Sequence, residues 1–212
     1  MVKPKLLLIG DGETAEMAYE YLSTDYCIEA FLVEKKYIKK TELFGIPVKA
    51  LEDIETEFSN AFYKVFVAVS FVNGNKLRQK LYDYLSEKGY QFISYIHPSV
   101  IIGADVAIGN NCFILERVVL QRKVKIKNNV FIWSGSVVAH HTLVDDHTFI
   151  ASGVMISGFC KIGKRAFLGV GSSIKDFIEI ADDNIIGGGA FIHRNTESNA
   201  TYIGVPGKIK KN

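Results

Sequence analysis

Two groups of residues in this sequence have types and spacings that do chemistry. The first is Gly10-Asp11-Gly12-Glu13-Thr14-Ala15, which satisfies G-x-G-x-x-A directly after the apolar run Leu6 to Ile9. Glu34 closes the next apolar run, where a ribose-binding acid would sit. Backbone N–H groups at such a turn, with a helix N-terminus behind them, cradle phosphate. The same glycines also suit a plain tight βα turn, and spacing alone leaves both readings open. The second group is the imidazoles His97, His140, His141, His147 and His193. An imidazole titrates near ~6.5, so its neutral form takes a proton from an attacking amine or hydroxyl close to neutral pH. The cysteines Cys27, Cys112 and Cys160 form no CxxC, and no set of three convergent imidazoles is spaced for a metal. No G-x-S-x-G occurs, so a serine triad is not indicated.

The elements that must position these groups are written in two periodicities. From Ile96, stepping six residues at a time to Ile192 meets seventeen consecutive aliphatic residues. Four residues after each lies a second, mostly small column, including Val100, Cys112, Ser136, Thr142, Cys160 and Ser172. Positions two apart share a strand face, so both columns point inward. Three six-residue sides close a triangular coil of about eighteen residues, stacked at roughly 4.8 Å. Proline is absent between Pro98 and Pro206, as a continuous parallel ladder requires. All five histidines lie off the inward columns.

Before Ile96 the pattern is mixed. Strands are expected at Lys5–Ile9, Cys27–Val33, Ala61–Ser70 and Phe92–Ile96, with helices over Glu16–Leu22 and Lys76–Lys88 and a charged loop over Lys35–Phe44. Strand–helix alternation predicts a small α/β domain with a parallel sheet. The expected division is 1–95 and 96–212. Roughly 90 residues do not supply the second βαβ half of a dinucleotide fold, so a single nucleotide fits this domain better than NAD.

Composition narrows the class further. A hydrophobic fraction of 48% is ample for a core, and a net charge of +2 makes no case for nucleic acid or a membrane surface. No apolar run approaches the ~20 residues of a membrane span. Residues 1–5 lack a signal-peptide pattern, and Cys112 and Cys160 fall on the inward column as reduced thiols. A cytoplasmic location is expected.

Repeats such as Ile102-Gly103-Ala104-Asp105-Val106-Ala107 and Ile108-Gly109-Asn110-Asn111-Cys112-Phe113 resemble the hexapeptide-repeat acyltransferases, which fold as left-handed parallel β-helices. The Rossmann-like start narrows this to the sialic-acid O-acetyltransferase and nucleotide-amino-sugar N-acetyltransferase group, including the bacillosamine-pathway enzyme. The resemblance runs through Ile9-Gly10-Asp11-Gly12, Val67-Ala68-Val69-Ser70, Val138-Ala139-His140-His141, Ile186-Gly187-Gly188-Gly189-Ala190 and Ile203-Gly204-Val205-Pro206-Gly207-Lys208.

The resemblance implies acetyl-CoA as co-substrate, no metal, and a homotrimer with active sites between subunits. It implies a nucleotide-linked amino sugar as acceptor, in bacterial surface glycan synthesis. His140 stands at the family's catalytic base, and Gly158, eighteen residues on, at the glycine that offers an oxyanion N–H. His141 replaces the acid that normally orients the base. Asp145 or Asp146 is then a candidate orienter and His147 a substitute for a second missing imidazole. Nucleotide-sugar contacts fall on Gly10, Asp11, Gly12, Glu13, Glu34 and Ser70. Acetyl-CoA contacts fall on Ser152, Gly153, Val170, Gly171, Gly188 and Lys208, with Lys210 and Lys211 beside them. Phe131 and Trp133 are candidate anchors for the trimer contact. Two other functions stay open: O-acetylation of a sialic-acid-type hydroxyl, and a β-helical binding protein without catalysis.

Overall fold

The structure, a computed structural model, describes residues 3–210. The chain divides into two compact units, one running to Val72 and resuming over Leu77–Ile93, the other formed by Asn73–Lys76 and the chain from Ser94 onward. Residues 73–76 were expected with the N-terminal part. They join the coils because the side chain of Asn75 is fully buried there, its Nδ2 donating to the carbonyls of Arg165 and Ala166, both at 3.3 Å.

In the first unit the sheet order is β3-β4-β2-β1-β5-β6, with β1 Lys5–Ile9, β2 Cys27–Val33, β3 Glu42–Leu43, β4 Ile46–Ala50, β5 Tyr63–Val67 and β6 Gln91–Phe92. All neighbours are parallel except the β3–β4 hairpin. The run Leu6 to Ile9 is buried on both faces, as a central parallel strand requires. Helix α1 spans Glu13–Leu22, beginning three residues earlier than expected. The loop expected over Lys35–Phe44 contains a helical turn at Lys35–Tyr37 and then β3. Strand β4 escapes sequence reading because Pro47 interrupts it. The β2 ladder begins only at Val48, so the missing N–H costs nothing. The short helix α2, Ile54–Glu57, was also not expected, and α3 covers Lys76–Glu87.

The second unit is a parallel β-helix. Each two-residue strand pairs with the strand eighteen residues on, as in Phe113↔Phe131, Val119↔Val137 and Lys125↔Leu143. The aliphatic column fills the interior from Ile114 to Ile192. Three of the buried polar members of the small column are satisfied across the coil, whereas Ser172 Oγ has no hydrogen-bond partner among the described residues. Ser136, Thr142 and Thr148 donate to the carbonyls of Ala151, Ser157 and Gly163, at 2.9, 3.1 and 2.9 Å. The Cys112 and Cys160 thiols sit 3.1 Å from the Lys127 and Lys175 carbonyls, and burial pushes the Cys160 thiol up.

The three faces differ outward. The first carries an aromatic ladder, Tyr95, Phe113, Phe131, Phe149 and Phe167, with successive ring centroids 5.5–6.2 Å apart. The second presents Ile101, Val119, Val137 and Met155, and the third Ala107, Lys125, Leu143, Lys161 and Glu179. A terminal strand, Thr201–Ile203, continues the first face, and Lys208–Ile209 folds back on it antiparallel.

Candidate functional site

The corners of the coil position the polar groups. Each corner puts one residue in the left-handed region, and these residues stack in columns eighteen apart. At the corner after the second face the column is Lys123, His141, Phe159 and Phe177, with φ of 61, 60, 57 and 62°. One place earlier run Arg122, His140, Gly158 and Asp176.

His140 lies half-buried over Gly158. A Cβ built on Gly158 would stand 2.5 Å from the imidazole Cε1 and 2.9 Å from Nε2, so only glycine leaves room for this ring. The backbone N–H of His140 donates to Gln121 Oε1 at 3.1 Å, and its carbonyl accepts from Phe159 N at 3.0 Å. The Nδ1 atoms of His140 and His141 are 3.2 Å apart. An imidazole held this way, with Nε2 directed away from the neighbouring histidine, is placed to accept a proton from a bound nucleophile.

The expected use of Gly158 as a free donor needs correction in this state. Its N–H already donates to Asp176 Oδ1 at 3.1 Å. The same backbone-to-next-coil bond recurs from Asn128 N to Asp146 Oδ1 and from Lys164 N to Asp182 Oδ1, so it belongs to the coil geometry. Asp176 is exposed, and a ligand oxygen could reach this N–H only after Asp176 swings aside.

Neither Asp145 nor Asp146 orients His140. Asp146 accepts from Asn128 N, and Asp145 accepts from Asp146 N at 2.9 Å. His147 is no substitute base either. It occupies the next corner, 7% exposed, with Nδ1 2.9 Å from Asn129 Nδ2 in a buried ladder that begins with Asn111 Nδ2 donating to Asn129 Oδ1. Further along that column Arg165 pairs with Asp183 through two 2.6 Å contacts. His97 stays within its own turn, Nδ1 2.8 Å from Ser99 Oγ.

The expected acetyl-CoA residues gather at the corner between the first and second faces. Gly153, Gly171 and Gly189 have φ of 68, 66 and 67°, and a Cβ on any of them meets nothing within 4 Å. Their N–H groups are taken by the carbonyls of Ser134, Ser152 and Val170, so this column offers close approach to Cα rather than donors. Val170 is 64% exposed, Ser152 is half-buried and Gly188 is exposed. Lys208 is exposed on the fold-back strand and Lys210 just beyond it, and the partner strand packs on the coil carrying Gly188 and Gly189; Lys211 lies outside the described residues. His140 and this glycine column therefore stand at opposite ends of the second face. Phe131, expected at a subunit contact, is fully buried in the aromatic ladder of its own chain and offers no surface. Trp133 is half-buried against Phe149.

In the first unit, Gly10, Asp11, Gly12, Glu13, Glu34 and Ser70 line one cavity of about 260 Å³ at the C-terminal ends of β1, β2 and β5. Ligands collect at that edge of a parallel sheet. Gly10 has φ 118° and its Cα lies against the Ala68 carbonyl, whereas Gly12 faces open space before the first turn of α1. Glu13 and Glu16 already complement that helix end. The remaining lining is mostly apolar, with Leu32, Val69, Val72, Leu77 and Leu81. Lys80 Nζ lies 2.8 Å from Glu34 Oε1, and this hydrogen bond holds the carboxyl below the usual range. Sequence reading missed Lys80, and it missed Phe159 and Phe177, although adding eighteen to His141 finds both.

Residues 123–158 match the bacterial transferase hexapeptide model of six repeats. The matched segment lies wholly within the coils of the second unit. This hexapeptide helix, left-handed, follows a Rossmann-like unit, as in the solved structures it resembles. A variant of perosamine N-acetyltransferase from Caulobacter crescentus, in complex with CoA and GDP-perosamine, superposes with TM-score 0.89 at 26% identity, covering 98% of this chain and 97% of that one. The acetyltransferase domain of PglB from Neisseria gonorrhoeae gives 0.87 at 22%, covering 98% and 100%, and WeeI from Acinetobacter baumannii gives 0.86 at 22%, covering 98% and 100%. No curated protein matches the sequence. Among the described residues, no group of three or more His, Cys, Asp and Glu is arranged to hold a metal ion, and no helix is long and apolar enough to cross a membrane.

Proposed function

We propose that the chain is an acetyl-CoA-dependent N-acetyltransferase acting on the amino group of a nucleotide-linked amino sugar in bacterial surface glycan synthesis. The observation that carries this reading is the His140 imidazole seated on Gly158 in a hexapeptide helix. The solved relative with CoA and GDP-perosamine supports the pair of substrates. The amine attacks the thioester carbonyl and a C–N bond forms. His140 Nε2 takes the proton released from nitrogen, the C–S bond breaks, and the imidazolium returns the proton to the thiolate as free CoA. Gly158 N–H, released by Asp176, serves the developing oxyanion. The cavity around Gly12 and Glu34 takes the nucleotide, with Glu34 on the ribose.

The assembly proposed is a homotrimer in the cytoplasm. Ile101 and Met155 are 63% and 49% exposed on the second face, whose outward column is apolar from Ile101 to Met155, while the third face is charged. Joining second faces brings the glycine corner of one copy towards the His140 corner of the next, so acetyl-CoA and base meet only between copies. The test is turnover of acetyl-CoA with UDP-, dTDP- and GDP-linked amino sugars, read by thiol release and product mass. Acetylation of an amine is expected. Acetylation of a hydroxyl, or nucleotide binding without turnover, overturns the proposal.

A further inference from the structure

The family's carboxylate beside the base is missing here, and the structure shows what stands in its place. His141 Nδ1 lies 3.2 Å from His140 Nδ1, so one of these nitrogens carries the proton between them. The two rings are perpendicular, at 84° with centroids 5.3 Å apart, which suits a proton shared in the plane of one ring and not a stack.

The ring of His141 is itself fixed by an aromatic column. Phe159 stacks on it at 4.7 Å and 15°, and Phe177 stacks on Phe159 at 5.1 Å and 6°. Phe159 also meets His140 edge-on at 5.1 Å and 81°. These phenylalanines are 47% and 71% exposed, and both occupy the left-handed region, where a bulky side chain is unfavourable. Neither is spent on the core, so their place at this corner follows from the ring they support.

We infer that His141 is a positioning residue: a neutral imidazole, clamped by Phe159 and Phe177, that accepts the Nδ1 proton of His140 and leaves His140 Nε2 as the base. This rests on the acetyl-transfer reading, which requires the free lone pair at Nε2. The groups around His141 keep it neutral. Removal from water acts first, then the cations Lys123, His140 when charged, and Arg122, and together they hold the His141 imidazole below its ordinary pKa. Arg122 is shared with Asp105 at 3.6 Å, and the Asp176 carboxylate is engaged by Gly158 N. An imidazolium on His140 therefore hydrogen-bonds to a neutral acceptor and not to a carboxylate.

The experiment is the pH dependence of kcat and kcat/KM, with the best amino-sugar nucleotide of the turnover panel, for the wild type and a set of variants. Asparagine and aspartate place Oδ1 where His141 has Nδ1, and both tolerate φ near +60°. His141→Asn keeps a neutral acceptor and should retain activity within about threefold. His141→Asp should move the acidic limb of the profile upward by about one pH unit or more, as an adjacent opposite charge does. His141→Ala should lower kcat about tenfold with both KM values unchanged. Phe159→Ala should lower kcat several-fold in the wild type yet add nothing to His141→Ala, because the two act through one ring. A His141→Ala enzyme with wild-type kcat, an acidic limb unmoved by His141→Asp, or additive losses would each overturn the inference. His140→Ala separates the two levels. If it is fully active, the acetyl-transfer mechanism through His140 fails. If it is inactive while the His141 variants run normally, only the positioning role fails.

Discussion

His140 and Gly158, eighteen residues apart, are in van der Waals contact ring to Cα, and a Cβ on Gly158 would come within 3.0 Å of three ring atoms. The obstacle is a movable side chain rather than backbone, so Gly158→Ala should fold. The ring must then tilt, and a misplaced base loses reach. We expect kcat to fall about 10- to 100-fold with the melting temperature nearly unchanged. His140→Ala should cost about a hundredfold or more. Steady-state kinetics beside a thermal melt checks both, and a Gly158→Ala enzyme of normal kcat would show that the contact is only structural.

Glu34, which lines the proposed nucleotide cavity, and Lys80 beside it make a testable pair. Lys80 keeps the Glu34 carboxyl below its usual range, so the carboxylate persists as pH falls and protonates later than a free glutamate. Nucleotide binding by calorimetry should therefore stay constant between pH 8 and pH 5, taken as roughly one unit above a free carboxyl's pKa. Glu34→Gln should weaken it about tenfold, the worth of a charge-assisted hydrogen bond. Equal affinity in the variant would move the ribose elsewhere.

The glycine corner predicts a donor-specific defect. Phe159 and Phe177 show that this fold accepts phenylalanine at φ near 60°, so Gly171→Phe should fold, at a cost of about 1–2 kcal/mol. It fills the open space over the Cα column. The KM for acetyl-CoA should rise at least about tenfold while that of the acceptor stays level. Equal rises in both would contradict the assignment.

Met155 tests the assembly. It is half exposed at the centre of the apolar second face. Met155→Glu places a charge where the proposed trimer would bury apolar surface, at a cost of several kcal/mol per copy. Sedimentation should show monomers, with activity lost although His140 is untouched. A wild-type monomer at micromolar concentration would remove the basis for a shared site.

Asp183 ties stability to pH. Its hydrogen bonds to Arg165 hold the carboxyl below its ordinary pKa. A depressed folded pKa contributes stability that is complete above the unfolded value of about 3.9 and is lost as pH falls through the folded one. Asp183→Asn should cost about 1.5–3 kcal/mol at pH 7, and the gap should close in strong acid. Urea unfolding at both pH values measures it.

Much of this was legible in the sequence for a definite reason. A six-residue repeat fixes register, so His140 over Gly158 and the open glycine column follow from adding eighteen. The fate of donors did not follow, because the bond from Gly158 N to Asp176 depends on a rotamer. His147 looked available until its column proved to be a buried ladder, since an outward position on a coil says nothing of what covers it. Phe131 misled for the same reason. In the first unit β1, β2 and β5 were readable from continuous apolar runs, whereas Ile46–Ala50, with Pro47 and Lys49 inside it, carries no such signal.

The fold-back at Lys208–Ile209 has a consequence for solubility. A stack of parallel coils ends in a row of unpaired N–H and C=O groups, and a second molecule's first coil is a ready match for it. Head-to-tail addition of that kind does not close and grows filaments. Here the last strand of the first face runs opposite to the others and carries exposed Lys208, with Lys210 just beyond. Reversed direction and positive charge make this edge of the first face a poor template for such addition.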